Sequence, residues 1–159
     1  MMSSRIIRGM GVVGVLVGLL AWSGAAIPFE IGEGKNLHFS FVTGDDLVET
    51  TSGTFEGIPD MTVDFKNKKK GPVLIRFCAA CNSGGIGSMQ VKAQVNGIDV
   101  PFGPGDGIQF AASQTTLPRC FTWVVSHLDR GDYTIGMVWR KFGGGSSFML
   151  SRSLIVEGD

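Results

Sequence analysis

No amphipathic helical repeat appears after residue 26 of this 159-residue chain, so the apolar pattern leaves strands as the elements from which a core is built. An excess of charge of one sign is also missing. Lys and Arg number 14 and Asp and Glu 14, whereas a general nucleic-acid binder needs net positive charge over its footprint. Only two histidines occur, His38 and His127. His38 falls on the polar face of a strand-like run, and His127 ends another run beside Asp129. A grouping of Ser126, His127 and Asp129 lacks the strained strand-to-helix turn that exposes a nucleophilic serine. Residues 85–88 (Gly-Ile-Gly-Ser) lead into a strand rather than a helix, so they form no phosphate cradle. The loop carboxylates Asp45, Asp46, Asp99 and Asp106 lack the spacing of a known calcium loop. Together these absences point away from an enzyme, a metal centre and a cofactor.

One long apolar run is present, at the start. Arg5 and Arg8 precede an uncharged stretch over residues 9–22, and small residues (Ser-Gly-Ala-Ala) follow at 23–26. This is the layout of a secretory signal peptide. The run is short for a membrane span, which wants roughly 20 apolar residues, so no stable span is expected after processing. No cysteine follows it, which argues against a lipoprotein anchor. The expectation is a signal peptide over 1–26 and a single domain over 27–159, secreted or periplasmic. Without Arg5 and Arg8 the remaining domain is slightly acidic.

Glycine is abundant at 24 residues and proline modest at 6, a composition suited to short strands joined by tight turns. Period-two alternation marks strands near 37–41, 61–65, 89–95, 121–126, 133–140 and 148–157, with weaker ones at 47–51, 98–102 and 108–111. Asn96–Gly97 is a hairpin dipeptide. The strongest strand signal is residues 72–81, Pro-Val-Leu-Ile-Arg-Phe-Cys-Ala-Ala-Cys. Both of its faces are mostly apolar, which predicts a central strand covered on both sides. Eight to ten strands at this spacing predict an all-β antiparallel sandwich, of jelly-roll type.

Three cysteines, Cys78, Cys81 and Cys120, allow one bridge and leave one thiol over. In an exported chain a disulfide is the default. Cys81–Cys120 is the expected pair, tying the end of the central strand to a distant one and contributing about 3–4 kcal/mol through loop closure. Cys78–Cys81 is the local alternative. A zinc site from the three cysteines and His127, or a redox pair, are further readings. Zinc would rest on scattered ligands, and a redox motif wants a helix N-terminus.

Three surface features are candidate binding elements. Arg130, Gly131 and Asp132 spell an integrin-type tripeptide at a predicted turn, although Gly and Asp are ordinary turn residues. Lys66, Lys68, Lys69 and Lys70 form a basic knob that suits an anionic polysaccharide or membrane surface, or else a solvated loop guarding a sheet edge. Trp123, Trp139 and Tyr133 would form a sugar platform if exposed and part of the core if buried.

Residues 128–135, Leu-Asp-Arg-Gly-Asp-Tyr-Thr-Ile, together with Phe148 and Leu150, resemble the late turn and last strand of C1q/TNF-like jelly rolls. That resemblance covers about 30 residues and implies a homotrimer that binds receptors or surfaces, with no catalytic residues to carry over. Residues 73–77, 96–97 and 152–156 also resemble uncharacterised exported bacterial β-sandwich proteins. The expected function is therefore extracellular or cell-surface binding or assembly, with a protein or glycan partner. A carbohydrate-binding module is one alternative, and a small secreted hydrolase or metal-dependent enzyme is another.

Overall fold

A computed structural model describes residues 38–102 and 107–159. The signal segment expected at 1–26, and Asp106, lie outside the described residues. Ten strands follow one another: β1 (His38–Gly44), β2 (Val48–Thr50), β3 (Glu56–Asn67), β4 (Gly71–Ser83), β5 (Gly87–Val95), β6 (Ile98–Asp99), β7 (Ile108–Ala111), β8 (Leu117–Leu128), β9 (Gly131–Gly143) and β10 (Ser147–Gly158). No helix occurs among the described residues, and none is therefore long and apolar enough to cross a membrane.

The strands form two antiparallel five-stranded sheets. One runs β1-β10-β4-β8 with β2 beside β10, and the other β3-β9-β5-β6 with β7 beside β5. Each sheet interleaves early strands with late ones, which is the jelly-roll arrangement of two facing Greek-key sheets. Prolines sit where they cost no ladder bond. Pro59 is on the edge strand β3 at a register shift between Gly57 and Thr62. Pro118 is on the edge strand β8, and Pro72 lies at the shift between Gly71 and Val73.

The core lies between the sheets and follows the alternation. Val73, Ile75, Phe77 and Ala79 of β4 are buried against Met89, Val91 and Ala93 of β5 and Ile135, Met137 and Trp139 of β9. Each large side chain so buried contributes about 2 kcal/mol. β4 is central in its sheet, as expected, but it is covered on one face only. Its outward residues Leu74, Cys78 and Ala80 are half-buried and Arg76 is exposed.

The disulfide differs from expectation. The bridge is Cys78–Cys120, not Cys81–Cys120 or Cys78–Cys81, and Cys81 is a buried free thiol. The physical reason is strand phase. β4 does not end at residue 81 but runs to Ser83. Residues three apart on a continuous strand point to opposite faces, so Cys78 is turned outward and Cys81 into the core. Cys120 of β8 stands directly opposite Cys78 in the antiparallel register. Apolar burial pushes the Cys81 thiol up to about 11, with a smaller opposing effect from Arg119.

Candidate functional site

Two turns at one end of the sandwich are locked together by a single asparagine. Asn67 closes β3 and is buried. Its Nδ2 donates to the carbonyl oxygens of Leu128 (2.9 Å) and Asp129 (3.0 Å). This clamps the β3–β4 turn, which carries the lysines, against the β8–β9 turn. The backbone amides of Lys68 and Lys69 donate to the Asp159 carbonyl at 2.9 and 3.2 Å. Across the two turns Lys70 Nζ meets Asp129 Oδ1 at 2.8 Å, and Lys66 Nζ meets Asp132 Oδ1 at 3.7 Å. The Lys70 hydrogen bond holds the Asp129 carboxyl below its ordinary value, and Asp129 in turn raises Lys70. Such exposed pairs add little stability. What they do is bring the lysine knob and the Arg130–Asp132 segment, separate in sequence, into one patch.

The tripeptide is not displayed as a loop. Only Arg130 occupies the turn; Gly131 and Asp132 begin β9 and pair with Asn67 and Lys66.

Beside this patch opens a cleft of about 710 Å³, lined by His38 and Ser40 of β1, Asp64, Phe65 and Lys66 of β3, Lys68, Asn96, and Asp132, Tyr133 and Thr134 of β9. Alternation explains the outward groups: Asp64 and Lys66 face away from the core that takes Val63 and Phe65. The Asn96–Gly97 turn is fixed onto β9. Asn96 adopts φ +50°, its amide donates to the Thr134 carbonyl at 2.8 Å, and its Oδ1 accepts from the Thr134 amide at 2.8 Å. Thr134 Oγ1 donates to Asp64 Oδ1 at 3.1 Å. The Tyr133 hydroxyl donates to the Asp129 carbonyl at 3.0 Å. Its ring lies over Gly131, where a Cβ would come within 3.4 Å. The cleft therefore offers the Tyr133 ring, with His38 and Phe65 also in its wall, among carboxylates, an amide, hydroxyls and ammonium groups, most of them already oriented by a partner.

A second cleft, of about 490 Å³, lies on the other side of Asn96 and Tyr133, which line both. It is mainly apolar, with Ile98, Val100, Pro101, Val124 and Leu128, and it also holds Ser126, His127 and Asp99. Asp99 accepts from Lys92 Nζ (2.7 Å) and Gln94 Nε2 (2.8 Å), which keep its carboxyl below its ordinary value. Asp129 is held by Lys70. The two carboxylates closest to His127 in sequence and cleft are thus oriented toward other groups.

No protein-family model matches the sequence, and no curated protein matches it. Solved structures do resemble the fold. The VP2 subviral particle of infectious bursal disease virus is similar at TM-score 0.50 and 12% identity, over 94% of this chain and 37% of that one. A family 35 carbohydrate-binding module from Clostridium thermocellum is similar at TM-score 0.43 and 16% identity, over 82% of this chain and 98% of that one. The chain spans little more than a third of that VP2 chain's length. At these identities the likeness is one of β-sandwich fold.

The remaining sequence candidates are placed as follows. Trp123 and Trp139 are 2% and 1% exposed, so they are core and not a sugar platform; Tyr133 lines both clefts. The zinc reading is overturned because Cys78 and Cys120 are consumed in the disulfide. Asp46 is bound to Arg152 and Asp99 to Lys92. Two buried cations among the described residues, Lys141 and Arg152, stand outside the sequence candidates. Lys141, 2% exposed, donates to Ser83 Oγ (2.5 Å) and the Gly84 carbonyl (3.2 Å), and desolvation lowers its pKa. Arg152, 1% exposed, donates to the Pro59 and Asp46 carbonyls and to Asp46 Oδ1. Lys141 follows in phase with Met137 and Trp139, a signal legible in the sequence.

Proposed function

We propose that this is an exported, non-enzymatic binding module that holds a glycan of an extracellular or cell-surface partner in the cleft around Tyr133. The observation that carries the reading is the composition of that cleft. An apolar ring edged by a few fixed polar groups is the usual make-up of a small-ligand site, and Asp64, Asn96 and Thr134 supply acceptors and donors of the kind that read sugar hydroxyls. Lys66 and Lys68 add affinity for glycans bearing carboxylate or sulfate. A disulfide fits an oxidising compartment, in keeping with the signal-like segment at 1–26. The non-enzymatic reading rests on His127, whose nearby carboxylates are oriented elsewhere.

The test is calorimetric titration of the protein with soluble neutral and acidic glycans. Binding that weakens about tenfold or more in Asp64→Ala and Tyr133→Ala supports the reading, since each removes a hydrogen-bonding or stacking group. Binding that survives both substitutions, or its absence across the glycan set, refutes it. Hydrolysis of a glycan or ester substrate that is abolished by His127→Ala would replace it with the hydrolase reading. A trimer, the state implied by the resemblance to C1q/TNF-like domains, would favour multivalent surface binding.

A further inference from the structure

The outward face of the sheet β1-β10-β4-β8 is more apolar than a solvated sheet face requires. Leu74 of β4, Ile155 of β10 and Val124 of β8 project from it, as does Leu150 farther along β10. Val124 is 59% exposed and Leu150 37%. The Cys78–Cys120 bridge crosses the same face and cross-links β4 to β8, so the face is held rigid. At its far end a small groove of about 270 Å³ continues the apolar surface between Leu47, Ala80, Phe148 and Leu150.

Two charged residues of opposite sign, Arg76 and Glu157, stand in the middle of this apolar field; Glu49 of β2 lies apart at its far end, beside Phe148. Arg76 pairs in register with Ile155, and Glu157 with Leu74, so they are diagonal neighbours on adjacent strands. The ion pairs seen among the described residues join other residues. A twofold axis lying in the face, midway between Arg76 and Glu157, sets Arg76 of each copy opposite Glu157 of the other. About that axis the oppositely charged centre of the face is complementary to itself. A polyanion or a membrane surface would call for a single sign. The size also suits a pair of copies. The central strands run about 36 Å, and four strands span about 19 Å. Their product of roughly 700 Å² per copy is close to the ~800 Å² per partner of a standard stable interface.

We propose that this face is where two copies of the chain pair about a twofold axis, with reciprocal Arg76–Glu157 contacts inside an apolar surround. The proposal is independent of the glycan reading, which uses the cleft near Tyr133 and is tested by titration.

The experiment is sedimentation equilibrium and light scattering on the protein purified from expression of the full chain, over a range of concentrations. The expected result is a reversible dimer. Arg76→Glu or Glu157→Arg alone places like charges together and weakens it at least about tenfold. The two combined restore it, because the pair is re-formed with its signs exchanged. Thermal melting confirms that the variants fold. Should a charge variant fail to fold, Val124→Lys, at an already exposed position, is expected to give the same weakening. A monomer at every concentration overturns the proposal, and so does a dimer or trimer indifferent to the substitutions. A double variant no better than the single ones overturns it too.

Discussion

Replacing both bridged cysteines, as Cys78→Ala with Cys120→Ala, isolates what the disulfide does. The bridge joins positions 42 residues apart. In the loop-entropy account a closure of that length restricts the unfolded chain by about 4 kcal/mol at room temperature. Packing losses add little, because both side chains lie on the outward face and Cys120 is exposed. For a domain of this size each kcal/mol moves the melting temperature by about 4 °C, so the double variant is expected to melt roughly 15 °C lower. Urea unfolding followed by tryptophan fluorescence provides the free energy, since Trp123 and Trp139 are buried. A reductant should reproduce the loss in the unmodified protein and change nothing in the variant. Alkylation adds a check: the native protein should resist iodoacetamide, and the unfolded, unreduced protein should take one label, at Cys81. A loss below about 1 kcal/mol, or a peptide map with Cys81 in the bridge, would refute the reasoning.

The other predictions concern burial and backbone strain. Lys141 has a folded pKa below its ordinary 10.5, so the unfolded state binds more protons just below that value and stability should rise as pH climbs toward it. Because Cys81 acts in the opposite sense over the same range, urea curves should show this rise in Cys81→Ala and not in Cys81→Ala combined with Lys141→Met. Cys81 acts in the opposite sense: its folded pKa of about 11 exceeds the ordinary 9.0, so stability should fall between pH 9 and 11, and Cys81→Ala should remove the fall. Arg152→Met deletes a buried guanidinium bound to two carbonyls and a carboxylate. It should cost about 3 kcal/mol by chemical denaturation. Gly145→Ala should cost about 2 kcal/mol or more, because φ is +85° and a Cβ would sit 2.3 Å from the Gly84 carbonyl oxygen. A neutral outcome would mean that the paired glycine turns rearrange.

Most of the sandwich is legible in the sequence because alternation reports which side of a strand is buried. The runs at 89–95 and 133–140 lie within β5 and β9, with Met89, Val91, Ala93, Ile135, Met137 and Trp139 inward. What alternation does not carry is where a strand stops and which residue faces it. The strand signal at 72–81 ends at its second cysteine. Two more residues of β4 reverse the roles of Cys78 and Cys81, and only the register with β8 places Cys120 opposite the first of them. Arg152 is hidden for a related reason. A register shift between Leu150 and Ser153, with Ser151 at φ +43°, turns the arginine inward in mid-strand. The cleft near Tyr133 is a product of packing between turns. Asn67, the residue that clamps them, looks in the sequence like any polar residue beside a lysine run.

The position of β10 has a consequence for the newly made chain. This last strand lies in the middle of its sheet, with β1 on one side and β4 on the other. Neither neighbour can complete its ladder until residues 147–158 have left the ribosome. Non-local pairing of this kind slows folding, because loop closure must precede the contacts that reward it. The sheet that holds β1, β4 and β8 therefore stays open until β10 arrives. A message truncated before residue 147 would leave β1 and β4 with unpaired edges, so its product should aggregate rather than persist as a smaller sandwich.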